Sequence, residues 1–168
     1  MPLKTDMTFA TADLFDNHAD ELEVCAPIFL DFGRHTDFYG PIRTLKVFES
    51  FGITKSTLAT DGKGHVLVID GGGSLRCAML GDKLAQLAID HNWKGILING
   101  CVRDSAAISK LSIGVKALGT NPTRPSPEGE GQLDVPVRFA GVTFHPGHFL
   151  YADADGVVLS EHDLVEKS

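Results

Sequence analysis

Apolar and polar positions alternate in a telling way between Val66 and Asp104. Two apolar runs of strand length, Val66-Leu67-Val68-Ile69 and Ile96-Leu97-Ile98, each leave their end through a glycine into polar residues. Between them Leu84, Leu87 and Ala88 fall on one helical face, with Asp82 at the entrance, where a short acidic side chain is expected to cap exposed N–H groups. Strand, helix, strand predicts a βαβ unit, whose ligand chemistry sits where strands end and helices begin. Asp82 and the pair Arg103-Asp104 both fall on such ends, separated by the twenty residues 83–102. Two carboxylates and a guanidinium distant in sequence are thereby expected to meet at one rim.

Outside this unit the pattern predicts a first helix over residues 11–22, started by Thr11 or Asp13 and carrying Leu14, Phe15 and Leu22. Pro27 forces an extended entry to Ile28-Phe29-Leu30, residues 43–49 alternate as a strand, and residues 56–60 form a short helical piece. Asp61-Gly62-Lys63-Gly64 is a turn. Gly71-Gly72-Gly73-Ser74 matches neither phosphate motif, because no Gly-Lys-Ser/Thr follows and Arg76 stands at the third glycine of G-x-G-x-x-G. A sharp reversal after a buried strand is the expected use of these glycines. Residues 105–111 should be helical and residues 115–118 a strand. Residues 119–136, rich in Pro and Gly, read as a surface loop or a mobile cover for a site or subunit contact, with Arg124 inside it. From Val135 onward the pattern is strand, with turns at residues 145–148 and at Asp155-Gly156.

Length and composition narrow the function classes. A chain of 168 residues makes one core, so residues 1–168 are expected to form a single domain. The excess of 22 acidic over 15 basic residues, −7 in all, disfavours nucleic acid as a direct partner. The 18 glycines and 43% hydrophobic content fit an α/β fold with many tight turns. Cys25, Cys77 and Cys101 share no CxxC spacing and read as buried thiols of a cytosolic protein. The N-terminal residues show no apolar targeting segment, and no run approaches membrane length, so a soluble, cytoplasmic chain with no membrane partner is expected.

Asp82 and Asp104 are hard oxygen donors suited to Mg²⁺ or Mn²⁺, a cation that leaves most of its positions to water and substrate. Arg103 adds a planar fork of donors for a carboxylate or an enolate oxygen. The amides after Gly81, which lack intrahelical acceptors and feel the helix dipole, make an anion site. Together these suit a small 2-oxo acid. Taken alone, the same residues also suit a surface ion pair and a simple cap. His145 with His148, and Asp153 with Asp155, read as turn chemistry, since the acidic run lacks the spacing of a calcium loop. Lys83 and Lys94 are formally available for a Schiff base but lack the apolar setting that would lower an amine pKa.

A resemblance decides between these readings. DGGGSLRCAMLGDKLAQLA, WKGILINGCVRD and GVTFHPGHFLYADADGVVLSE resemble the family of regulator of ribonuclease activity A and the class II 4-hydroxy-4-methyl-2-oxoglutarate aldolases, over about residues 11–161. The resemblance implies an α/β fold, a swivelling β/β/α three-layer sandwich, assembled as a homotrimer. It implies a metal-dependent lyase that forms a pyruvate enolate, either by splitting 4-hydroxy-4-methyl-2-oxoglutarate into two pyruvates or by decarboxylating oxaloacetate. In it Gly81, Asp82, Lys83 and Leu84 match the loop whose amides receive the substrate carboxylate. Arg103 matches the arginine that binds substrate and enolate, Asp104 the metal-binding acid, and Asp82 the acid that orients a catalytic water. Related aldolases often carry a further acid where this chain has Ala107, a departure that bears on aldol cleavage and leaves metal-assisted decarboxylation in place. Other members inhibit ribonuclease E by protein contact; that branch lacks the acid after the arginine, whereas Asp104 is kept here.

Overall fold

Hydrophobic alternation inside the central strands builds the molecule outward in two directions. In the computed structural model, which describes residues 8–165, Leu67 and Ile69 point into one apolar cluster and Val66 and Val68 into another. The neighbouring strand repeats this, with Ile96 and Ile98 on the first side and Leu97 on the second. A strand covered on both faces has no solvent side, which is why its apolar run is unbroken.

Along the chain the elements are α1 (Thr11–His18), a 3₁₀ turn (Ala19–Glu21), β1 (Leu22–Val24), β2 (Leu30–Asp31), β3 (Phe38–Val47) and α2 (Gly52–Leu58). Then come β4 (Val66–Leu80), α3 (Asp82–Asp90), β5 (Gly95–Val102), α4 (Ser105–Ile108), β6 (Gly114–Ala117), β7 (Gly119–Thr120) and β8 (Gly131–Leu133). The chain closes with β9 (Val137–Phe139), β10 (Val142–Phe144), β11 (Phe149–Asp153) and β12 (Gly156–Ser160).

The large sheet runs β1-β12-β11-β3-β4-β5-β6-β2, with β7 beside β5 and β8 beside β3. β3 serves two halves: residues from Phe38 to Pro41 pair antiparallel with β11, and those from Ile42 to Lys46 pair parallel with β4. The β4–β5 and β5–β6 pairs are also parallel, α3 making the crossover that parallel neighbours require. Leu58, Ala85, Ala88 and Ile108 bring α2, α3 and α4 onto one face of this half. The other face is covered by the antiparallel strands and the β9–β10 hairpin, where the Phe139 and Phe144 rings stack at 4.4 Å. The result is the expected mixed α/β fold, with β, β and α layers around two large apolar clusters and a smaller third one that includes Leu14 of α1. On the edge of the parallel half, buried Lys116 of β6 is held by Asp31 of β2 at 2.9 Å.

Several expected boundaries move. The first helix stops at His18, because Leu22 is drawn into β1 opposite Ser160. The strand expected from residue 43 begins at Phe38, its early residues held by β11 rather than by any local alternation. The helical piece of residues 56–60 is α2, earlier at Gly52–Leu58, and that of residues 105–111 shrinks to the four residues of α4. The glycine triplet makes no sharp reversal: β4 continues through it to Leu80. Gly72 and Gly73 take positive φ (70° and 72°), and the ladder with β5 shifts register past Asp70 and again past Ser74, the bulged geometry that only glycine enters cheaply. Among the described residues no helix is long and apolar enough to cross a membrane. The first seven residues of the targeting-segment reading lie outside the described residues.

Candidate active site

The end of β4 and the end of β5 are tied together, since the Arg103 N–H donates to Leu80 O at 2.9 Å. Both strands leave the sheet here, β4 through Gly81 into α3 and β5 through Arg103-Asp104 into α4. Asp104 is left-handed (φ 56°, ψ 38°), a conformation aspartate tolerates better than most residues. This turn brings its carboxylate back onto α3, where Oδ2 accepts the Asp82 N–H at 3.2 Å. The approach is close: a Cβ at Gly81 would stand 2.7 Å from that oxygen and 3.5 Å from Cγ and Nε of Arg103. Glycine is needed for this space and not for its dihedral angles, which are extended.

The expected capping role therefore passes from one acid to the other. Asp82 is the first residue of α3, and no side chain of the preceding residue caps the helix. The carboxylate that meets the first free amide is that of Asp104, which leaves the Asp82 side chain turned to the cleft. The first intrahelical bond is Ala85 N–H to Gly81 O at 3.1 Å, so the Lys83 and Leu84 amides lie ahead of any helical acceptor.

All six residues singled out by the sequence, Gly81, Asp82, Lys83, Leu84, Arg103 and Asp104, line one cleft of about 420 Å³. Arg124 lines it too, brought there by a strap across the strand ends. Asn121 N–H donates to Val102 O at 3.0 Å, Asn121 Nδ2 to Leu75 O at 2.7 Å, and Ala78 N–H to Thr123 O at 2.9 Å. Beyond Arg124 the strap pairs Ser126 with Ser50 and accepts the Phe51 N–H at 2.9 Å. The Arg124 guanidinium lies 4.8 Å from the Phe51 ring centroid. Phe51 and Lys55, also in the lining, were missed from the sequence, since no spacing links them to residues 81–104.

The electrostatics of the cleft invert those of the chain. Lys55, Lys83, Arg103 and Arg124 face Asp82 and Asp104, four cations against two carboxylates in a protein of net charge −7. No ion pair among the described residues involves any of the four. Unneutralised cations gathered in a concave site raise the local concentration of anions.

The lining offers only hard carboxylate donors, and Oδ1 of Asp104 takes no hydrogen bond from the described residues while Oδ2 is occupied. Nowhere among those residues do three or more His, Cys, Asp or Glu side chains gather to hold an ion by themselves. One or two carboxylates, the rest being left to water and substrate, fit Mg²⁺ or Mn²⁺.

The other candidates lie elsewhere. The His145 and His148 rings lie 4.8 Å apart, tilted by 39°, in the lining of a separate groove, and Asp153 is engaged by Thr11. Lys94 lines a different cavity, and Gly72 faces another. All three cysteines are buried and unpaired.

A family model described as RraA-like, Aldolase/RraA, matches residues 11–159. A protein of Aromatoleum aromaticum (strain DSM 19018 / LMG 30748 / EbN1) named "Putative 4-hydroxy-4-methyl-2-oxoglutarate aldolase" is 48% identical over 159 residues, 95% of this chain and 100% of its own length. One of Pseudomonas syringae pv. tomato (strain ATCC BAA-871 / DC3000) with the same name is 49% identical, covering 94% and 98%. The structure named as the RNA-processing inhibitor RraA from Thermus thermophilis matches with TM-score 0.89 and 41% identity over 93% of this chain and 94% of that one. Another, named as S-adenosylmethionine: 2-dimethylmenaquinone methyltransferase from Geobacillus kaustophilus HTA426, has TM-score 0.92 and 48% identity, covering 95% and 99%.

Proposed function

The chain belongs to the RraA-like, Aldolase/RraA family, and from that premise we propose that it is a divalent-metal-dependent lyase acting on 2-oxo acids. Its substrates are 4-hydroxy-4-methyl-2-oxoglutarate, split into two pyruvates, and oxaloacetate, decarboxylated to pyruvate and CO₂. Names within the family differ, so the choice of activity rests on the chemistry of the cleft. The observation that carries it is the convergence of Asp104, Arg103 and the first amides of α3 on one rim.

In this reading the substrate 1-carboxylate sits on the Lys83 and Leu84 amides, with the helix dipole behind them. Asp104, with Asp82 near it, would hold Mg²⁺ or Mn²⁺. When bound, such a cation draws electron density from the 2-keto group. The C3–C4 bond then breaks and its electron pair enters C3–C2, leaving negative charge on the keto oxygen. Arg103 sits where it can hold that charge, stronger in the transition state than in the ground state and hence catalytic. For the aldol substrate the 4-hydroxyl proton passes to the water that Asp82 orients as C4 becomes the keto carbon of the second pyruvate. For oxaloacetate C4 leaves as CO₂. Both routes end on one pyruvate enolate, protonated at C3 by a water that Asp82 orients. A homotrimer is part of the same proposal and follows from the family resemblance; the exposed Phe48 and Leu75 offer apolar surface for a contact between copies.

A coupled pyruvate assay with Mg²⁺, with and without chelator, tests this reading. Turnover is expected with metal and lost without it. Arg103→Ala and Asp104→Ala should each lower turnover by about a hundredfold or more; full activity in both would overturn the assignment. The likeness to the structure named as an RNA-processing inhibitor supports a second reading, contact inhibition of ribonuclease E. Slowed ribonuclease E cleavage, with neither substrate turned over, would select it.

A further inference from the structure

The cation excess in the cleft is larger than one carboxylate needs. The α3 amides and Arg103 already account for the keto-acid end of a substrate, and Lys83 belongs to the same first turn. Arg124 comes from a different part of the chain, and its presentation is built. Its backbone is fixed by the Asn121 and Thr123 bonds to β5 and β4 before it and by the Ser126 bonds after it. Its guanidinium is steadied by the Phe51 ring. A stacked guanidinium loses little freedom on binding and offers a planar fork that matches a carboxylate. Lys55, on a flexible stem, has no such restraint.

Resting on the lyase reading above, we propose that Arg124 is the specificity residue for dianionic 2-oxo acids, pairing with the carboxylate remote from the keto group. The assignment has an asymmetric kinetic consequence. In the aldol substrate the remote carboxylate keeps its charge throughout, passing intact into the second pyruvate, so its bond to Arg124 is uniform binding. In oxaloacetate the remote carboxylate is the group that leaves as CO₂, and its charge flows to the keto oxygen. A cation held on it stabilises the ground state more than the transition state and so opposes that cleavage. Arg124 thus favours aldol cleavage over decarboxylation, a bias the missing acid at Ala107 does not supply.

The test uses the full-length protein with Mg²⁺ and two non-cleaved probes, 2-oxoglutarate, which has the five-carbon main chain and both carboxylates of the aldol substrate, and 2-oxopentanoate, which lacks the second. By calorimetry the wild type should prefer 2-oxoglutarate. Arg124→Gln should weaken 2-oxoglutarate by roughly tenfold to a hundredfold and leave 2-oxopentanoate unchanged. Arg124→Lys should fall between, having charge without the fork. In turnover, Arg124→Gln should raise KM for the aldol substrate with kcat unchanged, and for oxaloacetate raise both KM and kcat. An equal loss for both probes, or none for either, overturns the assignment while leaving the lyase reading intact wherever pyruvate still forms. Arg124-dependent preference for the dianion without any pyruvate would keep the subsite and remove the lyase reading. Circular dichroism confirms that each variant is folded, so a loss confined to 2-oxoglutarate cannot come from unfolding.

Discussion

The Asp82 N–H donates to Asp104 Oδ2 at 3.2 Å, so the acid proposed to hold the metal also ties down the helix whose amides are proposed to receive the substrate. Asp104→Ala removes both roles and should cost about 1 kcal/mol of stability, as for a lost helix cap, besides activity. Asp104→Asn keeps an oxygen for the amide and loses the charge. Its melting temperature should stay near that of the wild type while pyruvate production falls as far as in the alanine variant. Equal destabilisation of both variants would refute the cap.

Gly81→Ala places a methyl group 2.7 Å from Asp104 Oδ2. Arg103, at 3.5 Å, would be in ordinary contact with the methyl group, whereas the carboxylate must shift away from it and strain its bond to the amide. Activity should drop roughly tenfold to a hundredfold through misplaced groups, with the fold retained. A variant with wild-type kcat and KM would show that the rim has more room than the geometry gives.

Asp153 ties α1 to the sheet, accepting the Thr11 N–H and hydroxyl, both at 2.7 Å, and the Asp155 N–H at 2.9 Å. Burial alone would raise its pKa. The bonds from Thr11, Asp155 and Gly156 outweigh burial and hold the carboxyl below the usual aspartate range. A folded pKa below the unfolded one stabilises fully above the unfolded value, about 3.9, and loses that contribution as pH falls through the folded value. Asp153→Asn should therefore destabilise by about 1–3 kcal/mol at pH 7. In urea titrations repeated downward from pH 5 the gap to wild type should narrow below about pH 4. A gap constant with pH would contradict this.

Burial, aided by the Glu23 charge, pushes the Cys25 thiol up to about 12. Burial, first among several causes, also raises Cys77 and Cys101. The native protein at pH 8 should react with a thiol-specific disulfide reagent far more slowly than free cysteine does, and all three cysteines should react in denaturant. Fast labelling of any of them in the native state would mean that it is more open than its burial indicates.

The central strands and their chemistry were legible because both depend on short-range pattern. The apolar runs at Val66–Ile69 and Ile96–Ile98 mark strands with no solvent face, and such strands put whatever follows them at one edge of the sheet. Asp82 and Arg103-Asp104 follow them, so their convergence could be read. Where the deciding partner is far along the chain, local pattern failed. The acid nearest the α3 amides in sequence is Asp82, yet the one that reaches them is Asp104, turned back by a left-handed residue. Phe38–Pro41 and Leu22 become strand only because β11 and β12 arrive beside them. The glycines of residues 71–73 carry no side chain to disclose that β5 continues to hold them in a bulged strand. Arg124 stood out within its loop, but its seat over Phe51 needed the strap.

The double duty of β3 has a mechanical side. Its first residues complete the antiparallel half and its later ones begin the parallel half, so no cut between residues 38 and 47 leaves either part with a finished edge. Force applied at one half is passed along a single backbone to the other, and loosening of the C-terminal strands at β11 reaches the strand next to β4. The rim of residues 81–104 is thereby joined, through β3 and β4, to the antiparallel half that lends it no side chain.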